Sequence, residues 1–93
     1  MTIGVLTLDV HLPDAQSLKD KRAVVKSVAD RIRRRFNVSF SEIDHQQVWQ
    51  RAEWVAVAVS GSRIHAEKEL QSVLKLLDQE PFLEVMNVQW EWL

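Results

Sequence analysis

Hydrophobic periodicity along this chain switches between two and 3.6, and that succession narrows the possible folds more than any single motif. Residues 3–12, I-G-V-L-T-L-D-V-H-L, place Leu6, Leu8, Val10 and Leu12 on one face and Ile3, Val5, Thr7, Asp9 and His11 on the other. That is a strand with one apolar and one mixed face. Pro13 and Asp14 end it, and Ser17 stands at a helix N-cap position with Asp20 three residues on. From Leu18 to Arg35, the residues Leu18, Val25, Val28, Ala29 and Ile32, continued by Phe36, share one helical arc. A second strand is expected at N-V-S-F-S from Asn37, with Val38 and Phe40 inward, and the polar stretch Asp44 to Arg51 reads as a loop. Trp54 to Ser60, W-V-A-V-A-V-S, is β-branched at every second position and reads as a central strand with Trp54 directed outward. Gly61 breaks it. Ser60 or Ser62 then caps a helix reaching to about Gln79, with Ala66, Leu70, Val73, Leu74 and Leu77 as its buried stripe, and Pro81 stops it. The last strand, Phe82 to Leu93, sets Met86, Val88, Trp90 and Trp92 against Asn87, Gln89 and Glu91.

The order β-α-β-β-α-β predicts a ferredoxin-like α+β fold over residues 1–93, one domain with a four-stranded antiparallel sheet and both helices on one face. The strands from residues 3 and 54 are expected at the centre, and those from 37 and 82 at the edges. With 46% hydrophobic residues the chain can build such a core. Cysteine is absent, which removes disulfides and thiolate chemistry and fits a reducing compartment. A signal-peptide pattern and a membrane-length apolar run are both missing, so a cytoplasmic protein without a membrane partner is expected.

Charge is distributed unevenly. The net charge is −1, yet eight of the twelve Lys and Arg residues fall between Lys19 and Arg35, opposed there only by Asp20 and Asp30. Such segregation points to a polyanion or an acidic partner. Lys19, Arg22, Lys26 and Arg33 form a stripe beside the apolar arc, with Arg34 next in the last turn, where cations also complement the helix dipole. These five are the candidate RNA contacts, since clustered Lys and Arg release counterions condensed on nucleic acid. A merely solvated outer face is the ordinary alternative. Nothing resembles the aromatic signature by which RNA-recognition modules read bases from an open sheet, so the helix is the expected RNA surface.

The remaining motifs carry less chemistry. Trp90 is expected in the core, and Trp92, near the end of an unguarded edge strand, is the candidate interface residue of a homodimer. Trp49 is expected to fold back as a plug over one end of the core, whereas Asp44, His45, Gln46 and Arg51 around it form a candidate recognition loop. Asp9 with His11, and Asp44–His45 near Glu53, lack any tight metal-ligand spacing. Two glycines leave no room for a phosphate-binding loop, so no metal, cofactor or catalytic residue is expected. An enzyme built on the 44–53 loop ranks behind an RNA-associated protein and behind a protein-interaction module or homo-oligomer.

Two longer stretches are more specific: S-L-K-D-K-R at Ser17 to Arg22, and F-N-V-S-F-S-E-I-D-H-Q-Q-V-W-Q-R-A-E at Phe36 to Glu53. Together with the opening I-G-V-L and Ala66–Glu67, they make the chain resemble the YlxP-like family of small bacterial proteins of unknown function. The resemblance covers nearly the whole chain. It implies a ferredoxin-like fold, a bacterial cytoplasmic protein and, through the family's association with translation-related gene clusters, contact with RNA or a ribosomal particle. It carries over no catalytic or binding residues, and the terminal W-E-W-L departs from the family pattern.

Overall fold

A computed structural model describes residues 1–45 and 47–93. The elements are β1 (Thr2–His11), α1 (Leu18–Arg35), β2 (Ser39–Asp44), β3 (Arg51–Ser60), α2 (Arg63–Asp78) and β4 (Glu84–Trp92). The strands form one antiparallel sheet in the order β2-β3-β1-β4, and the helices cover one face of it. This is the ferredoxin-like arrangement that the periodicity predicts, with β2 and β4 at the edges. No helix among the described residues is long and apolar enough to cross a membrane.

Local chemistry sets the helix ends. The Ser17 hydroxyl accepts from the Asp20 amide at 3.0 Å, while Asp20 Oδ2 accepts from the Gln16 amide at 3.1 Å, so the capping box closes one residue upstream of its usual partner. At α2 the cap is Ser62, which accepts from the His65 amide; Ser60 holds the Ser62 amide at 3.0 Å. The helix layer then meets Leu6, Leu8, Val10 and Leu12, all at most 1% exposed, through Val28 and Ile32 of α1 and Leu70, Val73 and Leu77 of α2. Each fully buried aliphatic side chain of this kind contributes roughly 1.5–3 kcal/mol. In α2 the buried stripe includes Leu76, and Leu74 is only partly covered.

The structure corrects several expectations. β3 begins at Arg51, three residues before Trp54, because β1 pairs with it over ten positions from Thr2↔Ser60 to His11↔Arg51. The open-face residues Arg51 and Glu53 are polar, which makes that end of the strand look like a loop in sequence. Trp54 points inward and is fully buried, packed edge-on against Phe40 with ring centroids 5.5 Å apart. Its strand neighbours on that side, Ala52, Ala56 and Ala58, are small and leave room for the indole, and the valines take the other side. Met86 does not join the inward face of β4. The ladder slips between Asp9↔Asn87 and Val10↔Val85, so Met86 is the extra residue of a bulge, 61% exposed, and Val85 takes the inward place. Trp49 plugs nothing: it lies half exposed in the turn before β3.

Trp90 and Trp92 stack at 6.0 Å, both partly buried against the core, and the Arg63 guanidinium lies 4.5 Å from the Trp92 ring. Trp92 reaches over Gly4, its partner in the β1–β4 ladder. A Cβ built at Gly4 would stand 2.7 Å from Trp92 Cζ3 and 2.9 Å from Leu70 Cδ1, whereas one at Gly61 meets nothing within 4 Å. Glycine at position 4 is therefore required by a close approach and not by a backbone angle. Gly4→Ala is expected to lower stability by about 1–3 kcal/mol in urea denaturation, as overpacking does. Gly61→Ala, with no positive φ to strain, is expected to be neutral or stabilising by up to about 1 kcal/mol. Equal midpoints for the two variants would show that Trp92 does not pack on Gly4 as described.

Candidate functional site

Two polar surfaces of opposite sign lie on opposite sides of the sheet. The first is α1. Lys19, Arg22, Lys26, Arg33 and Arg34 are all exposed. Arg33 also donates to the Phe40 carbonyl at 2.7 Å, which ties the helix to β2. Arg22, Lys26 and Arg33 line a groove of about 480 Å³ between α1 and β2, floored by Val25, Ala29 and Phe40. Other cations of the run are held within the fold. Arg31 pairs with Glu80 at 2.5 Å.

Lys21 is 1% exposed, the one charged residue among the described ones that is buried. Its ammonium lies 3.0 Å from Glu42 Oε2 and donates to the backbone carbonyl of His45. Lys21 belongs to the basic run from Lys19 to Arg35 but not to its candidate surface stripe, and the signal for its burial is in the sequence. Lys21, Val25, Val28 and Ile32 follow i, i+4, i+7, i+11, so the lysine sits on the apolar arc. A buried ammonium needs charged and hydrogen-bonding partners, and the 36–53 stretch supplies both.

The second surface is the end of the open sheet face beyond this anchor. His45 adopts φ 63, the left-handed region that non-glycine residues rarely enter. Its carbonyl is held by Lys21 and by the Val48 amide at 3.0 Å, and its amide donates to Asp44 Oδ1 at 2.7 Å. Gln50 fastens the same turn: Nε2 donates to the carbonyls of Pro13 and Ala15, and its own carbonyl accepts from the Leu12 amide at 2.9 Å. Two bulges flank this end. The one in β2 falls between Glu42↔Trp54 and Asp44↔Glu53, which brings Asp44 into the row Asp44–Glu53–Asp9–Asn87 across all four strands.

Arg51 lies beside that row, with Nε 3.2 Å from Asp9 Oδ1 and a terminal nitrogen 3.4 Å from Oδ2. Its guanidinium is held above its usual pKa by the hydrogen bond and charge of Asp9, reinforced by Glu53 and Asp44. Thr7, Asp9, His45, Arg51, Glu53, Asn87 and Gln89 enclose a polar pocket of about 190 Å³. Of the predicted recognition loop, His45 and Arg51 meet in this pocket, Asp44 lies at its border, and Gln46 lies outside the described residues. Thr7, Asn87 and Gln89 come from β1 and β4; sequence spacing alone does not join them to the loop. No three His, Asp or Glu residues among those described gather at metal-binding distance. Three carboxylates around one guanidinium leave the pocket negative, so it disfavours phosphate.

The two motif stretches of the sequence thus meet in space through Lys21, Glu42 and His45. Residues 3–90 match the family described as "Protein of unknown function (DUF503)". The chain belongs to that family. It is also similar to "Uncharacterized protein YlxP" of Bacillus subtilis (strain 168), with 46% identity over 90 residues covering 97% of this chain and 98% of the relative. Within this DUF503 chain, S-L-K-D-K-R and the D-H-Q-Q-V-W-Q-R-A-E block are two halves of one structural joint.

Replacing Lys21 with Met keeps the aliphatic stem and removes an ammonium from two acceptors, one of them a carboxylate. The expected loss is about 3 kcal/mol in urea denaturation, from the usual worth of charge-assisted hydrogen bonds and buried pairs. Lys19→Met, on the exposed face, is expected to change stability by less than about 0.5 kcal/mol. Similar losses for both would remove Lys21 as the anchor.

Proposed function

We propose that this protein is a small accessory protein that binds RNA, free or within a ribosomal particle, through the outer face of α1, which places its work in the cytoplasm. The observation that carries this reading is the exposure of Lys19, Arg22, Lys26, Arg33 and Arg34 on one rigid helix. Lys21 and Arg31, which belong to the same run, are engaged in holding that helix to β2, to the turn at His45 and to Glu80. The groove beside α1 suits a single strand: Arg22, Lys26 and Arg33 line it for phosphates, Glu42, which also lines it, is paired with Lys21, and Val25, Ala29 and Phe40 form an apolar floor. The acidic pocket on the open face directs a polyanion away from the opposite side.

Five phosphate contacts at about 0.7 each predict a slope of log K against log[salt] of about −3.5 for single-stranded RNA. Reversing Arg22 and Lys26 to Glu is expected to weaken binding by at least about tenfold and to lower the slope by about 1.4. The melting curve should remain that of the wild type, because both side chains are exposed. Fluorescence anisotropy with ribosomal RNA fragments at two salt concentrations reads both quantities. Equal affinity of the two proteins would exclude α1 as the binding surface. No binding by either at low salt would favour an acidic protein partner on the same helix.

A further inference from the structure

We infer that the open face of the sheet is the contact between two copies of this chain. β3 carries the observation. Its inward side is Ala52, Trp54, Ala56 and Ala58, and its outward side continues from Arg51 and Glu53 into Val55, Val57 and Val59. Apart from Trp54, the larger apolar side chains of this central strand point away from the helices. On an antiparallel sheet with one solvated face, that side is ordinarily polar.

β1 extends the same surface. Ile3 pairs with Val59, Val5 with Val57 and Thr7 with Val55. The result is a β-branched stripe along both central strands, and Val59 is 55% exposed. Ser39 and Ser41, opposite Val57 and Val55 on β2, are short and let another surface approach closely.

The shape and charge of the face select its occupant. A phosphate polymer is disfavoured, because Asp9, Glu53 and Glu91 outnumber Arg51 there. The stripe is flat and two strands wide, suited to another sheet lying about 10 Å away and not to a single inserted peptide. The whole open face, the stripe with the polar rows of β2 and β4 on either side, has four strands about 4.8 Å apart and about eight residues long, roughly 500 Å² on each copy. Two such faces together reach the roughly 1,000 Å² that a specific interface needs. A second copy matches this surface in size and in its apolar stripe, and two-fold dimers are the commonest assembly. A two-fold axis between the sheets at the Val5–Val57 pair lays stripe on stripe. It leaves the Asp9–Arg51 pocket at the polar rim and both α1 helices on the outside. The contact is therefore independent of the α1 reading.

Sedimentation equilibrium combined with light scattering tests it. The wild type is expected to be a dimer at tens of micromolar, and Arg22→Glu/Lys26→Glu is expected to dimerise equally well. Val57→Glu places an unpaired carboxylate at the centre of the contact and is expected to raise the dimer dissociation constant by at least about a hundredfold. A monomeric wild type over this range overturns the proposal, as does a folded Val57→Glu protein that still dimerises. If circular dichroism shows that Val57→Glu does not fold, Val57→Ser decides on the same criteria with an expected weakening of at least about tenfold.

Discussion

One buried ammonium fixes how the two halves of this molecule face one another. Lys21 leaves water from the first turn of the most basic helix, and its partners are Glu42 on the edge strand and the His45 carbonyl in the following turn. Desolvating a lysine is costly unless it gains hydrogen bonds and an opposite charge. The joint therefore specifies a rotation of α1 about its axis. Turning the helix to expose Lys21 would carry Val28 and Ile32 out of the core. With that rotation set, Lys19, Arg22, Lys26 and Arg34 project to solvent, and Arg33 lies close enough to β2 to hold the Phe40 carbonyl. The same ammonium supports His45 in a backbone region that a non-glycine residue does not occupy without compensation.

Most of the architecture was legible in the sequence because it follows from two periods. Leu6 to Leu12 alternate without exception, and Val25, Val28 and Ile32 keep helical spacing, so element types and their order follow. What the sequence concealed has physical causes. Trp54 was misplaced because in W-V-A-V-A-V-S both alternating sets are apolar, and period two then identifies two faces without saying which is inside. The decision lay with the helices, which pack closely over Ala56 and Ala58 and leave the valines out. Met86 was misplaced because a bulge shifts parity by one residue, and nothing in E-V-M-N-V announces it. The candidate pocket was half legible: His45, Arg51 and Glu53 belong to one distinctive block, but Thr7, Asn87 and Gln89 join it only through strand register.

The near-zero net charge conceals a separation of sign across the sheet. The helix layer presents exposed cations of α1 on one side. The opposite side ends in Asp44, Glu53 and Asp9 gathered around Arg51, whose guanidinium responds to all three. Within a Debye length of about 8 Å at physiological ionic strength, each surface acts on an approaching charge largely by itself. Composition alone suggests an electrically bland protein, whereas the fold makes it strongly two-sided. A polyanion would meet attraction on the α1 side and repulsion at the Asp44–Glu53–Asp9 end of the other.

The alternation of alanine and valine in β3 connects these sides. Alanines toward the helices let the layer close tightly over a central strand whose one large inward residue is Trp54, itself accommodated because its neighbours are small. The cost of that choice is an interior with less apolar volume from β3 than its length allows, and the valines on the open face do not recover it in a solitary copy. Covering them restores the missing burial without altering the helix layer. The core, the basic helix and the open face are consequently three outcomes of one packing decision: small residues beneath the helices, charge on their outer surface, and the displaced hydrophobic volume on the far side of the sheet.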